Sequence, residues 1–167
     1  IQLTTLVEAI SYFGKADIPT IDVNAAEQAN SIQEATKIAT VVRLLKNEFP
    51  DLRADLSPWK NDPETRDLLD PDSADLGFHL PGVSRLFQCR SLLMQIRFHT
   101  DIDTQETRVI GIEVAGFDHQ GKRWNLSTIH NWTFVGDKVP EAATGERLKS
   151  CCRKIFDIFN QSSEQLS

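Results

Sequence analysis

Several signatures of chemistry are missing from this chain. It contains no metal-ligand spacing, no glycine-rich phosphate loop and no nucleophile elbow, so no cofactor is expected. Cysteine is scarce: Cys89, Cys151 and Cys152 cannot all pair within one chain, and adjacent cysteines bridge only in a strained geometry, so reduced thiols are expected. Apolar runs are only a few residues long. The opening IQLTTLVEAISYFG carries neither a basic n-region nor a small-residue cleavage site, so neither a membrane span nor a signal peptide is expected. The chain opens on Ile1, as a trimmed start would. These absences together predict a cytoplasmic protein.

Positive charge is also in deficit. Eighteen Lys and Arg face 24 Asp and Glu, for a net charge of −6. Residues 51–75 alone hold eight acids (51, 55, 62, 64, 67, 70, 72 and 75) against Arg53, Lys60 and Arg66, a local balance of −5. The remainder is close to neutral. A broad basic face for nucleic acid or for an anionic membrane is therefore not expected. Asn125-Leu-Ser, Asn131-Trp-Thr and Asn160-Gln-Ser form glycosylation sequons. Seven Asn in such a chain give roughly one by chance, and we read all three as coincidence.

What is present reads as a single α+β domain over 1–167. Its 40% hydrophobic content is enough for one core at 167 residues. Leu3, Leu6, Ile10 and Phe13 recur at helical spacing before Gly14. Asn24 with Glu27 and Ser31 with Glu34 are capping-box patterns, so the next helix begins at Ala25 or Ser31. Its stripe is Ile32, Ala35, Ile38, Ala39, Val42 and Leu45, and Phe49-Pro50 ends it. Residues 50–76 form a long acidic loop, with one short helix at 62–69 capped by Asp62 and Pro63.

Period-two alternation follows. Leu92, Met94, Ile96 and Phe98 make the apolar face of one strand, and Ile110, Ile112 and Val114 that of the next. Asp118-His119-Gln120-Gly121 predicts a tight hairpin. One long strand after it would place Trp124, Leu126, His130, Trp132 and Phe134 on one face, the tryptophans and His130 in the core. Leu76–Phe87 adds an edge strand that Pro81-Gly82 would break. Thr144 caps a final helix with the stripe Leu148, Cys151, Cys152, Ile155, Phe156 and Phe159, and residues 161–167 fray. The expected fold is an antiparallel meander of three to five strands packed against N-terminal and C-terminal helices.

Two groups of residues are candidates for a site. Asp75, His79, Arg85, Cys89 and Arg90 gather around Leu80-Pro81-Gly82, where a Cys–His pair backed by Asp could activate a thiolate. A loop that neutralises its own Asp residues with Arg accounts for the same composition. Gln95, Arg97, Glu113, Arg123, Asn125 and Ser127 form a polar sheet face, either a solvated surface laced with cross-strand pairs or, if covered, a pocket lining. The histidines, His79, His99, His119 and His130, share no metal-ligating spacing with one another or with the cysteines.

The segment DPDSADLGFHLPGVSRLFQCRSLLMQIRF, followed by VAGFDHQGKRWNLST, resembles a family of uncharacterised cyanobacterial proteins over roughly residues 60 to 136. The resemblance implies a small cytoplasmic protein and brings no activity or catalytic residue with it. The expected role is thus a non-enzymatic protein-binding or assembly module, acting through the acidic loop, the sheet face or self-association. The competing expectation is a small-molecule-binding protein or enzyme with a pocket between sheet and helices.

Overall fold

A computed structural model describes residues 24–58 and 72–161. The expected helices at 3–13 and 62–69 lie outside them. The described elements run α1 (Ala25–Gln28), α2 (Ile32–Glu48), β1 (Arg53–Asp55), β2 (Ser73–Ser84), β3 (Cys89–Thr100), β4 (Thr107–Asp118), β5 (Gly121–Ser127), β6 (Thr133–Gly136) and α3 (Ala142–Asn160). The six strands form one antiparallel sheet in sequence order. The fold is therefore α+β as expected, with more strands than the three to five predicted.

Both capping patterns mark a helix start. Asn24 precedes the single turn of α1, although its amide reaches Glu27 Oε1 at 3.4 Å rather than capping the helix. The Ser31 hydroxyl accepts from the Glu34 N–H at 3.1 Å and opens α2, which stops at Phe49 before Pro50. The last helix starts three residues earlier than its Thr144 signal. Its N-cap is Glu141, whose N–H is tied to the Leu86 carbonyl at 2.9 Å, and Thr144 is buried inside the helix. A tertiary tether to the β2–β3 turn sets this boundary, which a local propensity argument does not see.

Period two puts Leu76 and Phe78 of β2, Leu92, Met94 and Ile96 of β3, and Ile112 and Val114 of β4 on one face. Ile38, Val42 and Leu45 of α2 and Leu148, Cys152 and Ile155 of α3 join them in one buried cluster. Each of the Leu, Ile, Val, Phe and Met side chains contributes about 1.5–3 kcal/mol by leaving water. Both long helices thus lie on the same side of the sheet.

Three corrections to the expected strands have physical causes. Ile110 is exposed and Val109 is buried in its place, because the β3–β4 register jumps from Arg97↔Gly111 to Phe98↔Val109, leaving Ile110 as the extra residue of a bulge. The predicted long strand is two. β5 ends at Ser127, and the chain turns through Asn131 and Trp132, both at positive φ (67° and 56°), before β6. His130 falls in that turn and is exposed, not a core histidine. Trp132 is only partly buried and packs beside Phe156, with the Arg153 guanidinium 5.1 Å from its ring centroid. Finally, β2 is no edge strand: it lies between β1 and β3, and Pro81 sits where pairing lapses between His79↔Ser91 and Ser84↔Cys89.

The tight hairpin forms as read. Asp118 pairs with Gly121 across a two-residue turn, and Gly121 holds φ at +115°, a conformation few side chains adopt.

Candidate functional site

The sheet face opposite the helices carries a polar row. Pairing sets Asp75 beside Gln95, Gln95 beside Glu113 and Glu113 beside Ser127 across four strands. Asp75 is fully buried; its carboxylate accepts from Ser73 Oγ at 2.7 Å and Gln95 Nε2 at 3.2 Å. Arg97 lies one pair further along β3 and reaches diagonally to Glu113, with Nε and Nη2 3.1 and 2.7 Å from Oε2. Ser127 Oγ donates to Glu113 Oε1 at 3.4 Å. The two charged side chains keep 32% and 28% of their surface, so this is a half-sheltered ion pair in a hydrogen-bonded row.

Arg123 does not join that row. A bulge at the β4–β5 end turns it to Asp118, where Nε lies 2.6 Å from Oδ2, and it also hydrogen-bonds Gln120. The guanidinium holds the Asp118 carboxyl below its ordinary range. Asn125 shares the outer face with the row but pairs with Ala115 and Val135.

The group around Leu80-Pro81-Gly82 is dispersed. His79 stands exposed on β2, with Nε2 3.3 Å from Asp55 Oδ2 of β1. Arg85 and Arg90 are exposed, and the Arg85 carbonyl accepts from Gln88 Nε2 at 2.7 Å. Cys89 points the other way, into the core beside Phe87 and Trp124, and burial pushes its thiol up to about 12. A thiol so raised carries no thiolate at neutral pH and has no contact with His79, so the Cys–His–Asp arrangement does not form. Cys151 and Cys152, both buried, are pushed up by burial to about 11 and about 12.

Two features outside these groups stand out. The first is the contrast between the sheet edges. β1 carries an exposed Arg53 and a half-buried acid, Asp55, whereas β6 is Thr-Phe-Val-Gly with Val135 61% exposed on the outer face. The second is a pocket of about 250 Å³ on the helix side, between α2, the β3–β4 ends and the last turn of α3. Ile38, Phe98, Val109 and Phe159 supply apolar walls, and Glu34 and Lys37 stand at the rim. None of the residues expected to form a site lines it. Its lining comes from elements far apart in sequence, and the only local signal was the opposite charge of Glu34 and Lys37, one helical turn apart.

No group of three or more His, Cys, Asp and Glu among the described residues could hold a metal ion, and no described helix is long and apolar enough to cross a membrane. The model of a family described as a domain of unknown function matches residues 26–161. The chain belongs to that family. No curated protein and no solved structure matches the chain.

Proposed function

We propose that the protein is a non-enzymatic assembly module whose copies pair through β6. The observation that carries this reading is the edge of β6, which no other described strand pairs. Exposed strand edges template further pairing, and they are commonly blunted by charge or proline. β1 fits that pattern with Arg53 and Asp55, but the four residues of β6 include neither a charge nor a proline. Val135 projects from it, while Ile129 and Val139, half-exposed, flank it in sequence. Two identical edges paired antiparallel satisfy a two-fold axis, with the same patch serving both copies.

The reading takes the chain as one cytoplasmic domain in a family of cyanobacterial type. It leaves no role for nucleic acid, since Arg97 and Arg123 point to Glu113 and Asp118 rather than converging with Arg85, Arg90 and Lys122.

Light scattering on a sizing column tests it. At on the order of 0.1 mM chain the wild type is expected at dimer mass, and Val135→Lys at monomer mass with unchanged circular dichroism. A monomeric wild type, or a V135K variant that stays dimeric, refutes pairing through β6.

A further inference from the structure

We infer that the pocket between α2, the β3–β4 ends and α3 binds a small zwitterion with an apolar group, of the amino-acid class. Two opposite charges in its lining do not meet. Glu34 and Lys37 are three residues apart on α2, a spacing at which opposite charges on a helix are neighbours. Yet no ion pair joins them, and both are half-buried at the pocket rim. Lys37 Nζ instead lies 5.7 Å from the centroid of the Phe159 ring, and no described carboxylate pairs with it. A ligand bearing both signs supplies each with a charge-assisted hydrogen-bond partner.

The walls define the rest of the ligand. Phe98 and Phe159 meet edge to face at 5.6 Å, and Ile38 and Val109 complete the apolar floor. A volume of about 250 Å³ is below the usual span of drug-sized sites, roughly 300–1,000 Å³. A molecule placing a carboxylate at Lys37, an ammonium at Glu34 and a branched or aromatic group on the phenylalanines answers both charges and the apolar wall of the site, and Gln28, Asn30 and Thr107 add polar lining. An acid or amine of the same shape leaves one rim charge unanswered. Binding here does not depend on pairing through β6.

Isothermal titration of the full chain with L-leucine and L-phenylalanine tests the inference, with glycine, isoamylamine and 3-phenylpropionate as comparison probes. The two apolar amino acids are expected to give saturable heat, and the three comparison probes to bind at least about tenfold more weakly. Lys37→Met and Glu34→Gln should each weaken the amino acids by a similar factor while melting like the wild type. The inference is overturned if neither amino acid binds up to about 10 mM, if a single-charge analogue binds as well as its amino acid, or if both variants bind like the wild type.

Discussion

Replacing Gly116 by alanine should be among the most costly one-methyl additions to this fold, and the reason is local. Gly116 of β4 pairs directly with Trp124 of β5, and the indole lies across the space a side chain at 116 would occupy. A Cβ there would stand 2.4 Å from both Cε2 and Nε1 of the ring. The ring cannot step aside: Trp124 is 1% exposed, its Nε1–H donates to the buried Phe87 carbonyl at 2.7 Å, and Phe134 meets its face edge-on at 5.3 Å. Overpacking of this kind costs about 1–3 kcal/mol. Dragging Nε1 off Phe87 leaves a buried acceptor unpaired, at about 1–3 kcal/mol more. We expect Gly116→Ala to lose about 3 kcal/mol in urea unfolding followed by circular dichroism. Trp124→Phe removes Nε1 and the fused ring, and with them most of the clash. The Gly116→Ala cost in that background should fall by about 1–2 kcal/mol, a coupling well above the additivity error of distant sites. An additive cycle, or a single variant within about 0.5 kcal/mol of wild type, refutes the assignment of Gly116 as the seat of the indole.

Asn160 should matter more than an exposed residue at a helix end usually does. Its amide accepts from the Val109 N–H at 2.8 Å and donates to the Val109 carbonyl at 3.0 Å, so Asn160→Ala should cost about 1–2 kcal/mol, and hydrogen exchange at Val109 should quicken; unchanged exchange there counts against the clamp. The three thiols set an alkaline limit. Their folded pKa values of about 12, about 11 and about 12 lie above the ordinary 9.0. The protonated form is thus favoured by folding, and the contribution is complete below pH 9 and is lost as pH climbs from 9 through 12. Melting temperature should fall across that window, and less steeply in Cys152→Ala; identical slopes would place the alkaline limit elsewhere.

The sequence carried the parts of the fold that depend on near neighbours. Ser31 and Glu34 announced the start of α2, Phe49-Pro50 its end, and Leu92, Met94 and Ile96 the inner face of β3. It misled where one residue changes the phase. Val109 and Ile110 are both apolar and adjacent, so alternation alone cannot say which is the extra residue of a bulge. A tryptophan at positive φ is equally invisible, since aromatic residues rarely take that conformation and Trp132 is held there by α3. The Gln95, Arg97, Glu113 and Ser127 row was legible because cross-strand neighbours follow from period two. The full burial of Asp75 was not, since it depends on what covers β2.

The ends of β3 and β4 also shape the pocket. β5 pairs with β4 only from Glu113 onward, so the start of β4 and the end of β3 extend past the rest of the sheet as a two-stranded ribbon. Main-chain groups on the open side of that ribbon need partners. Thr128 Oγ1 accepts from the Ile112 N–H at 2.9 Å, and Asn160 takes both groups of Val109. The second of these bonds draws the last turn of α3 down to the ribbon, and Phe159 then meets Phe98. The bulge at Ile110 turns Val109 inward beneath them. A regular β4 would expose Val109 and bury Ile110 in its place. Asn160 thus ties its chain neighbour Phe159 to Val109, two of the pocket's lining residues, and loosening it should weaken the inferred ligand binding even though its own amide is committed to Val109.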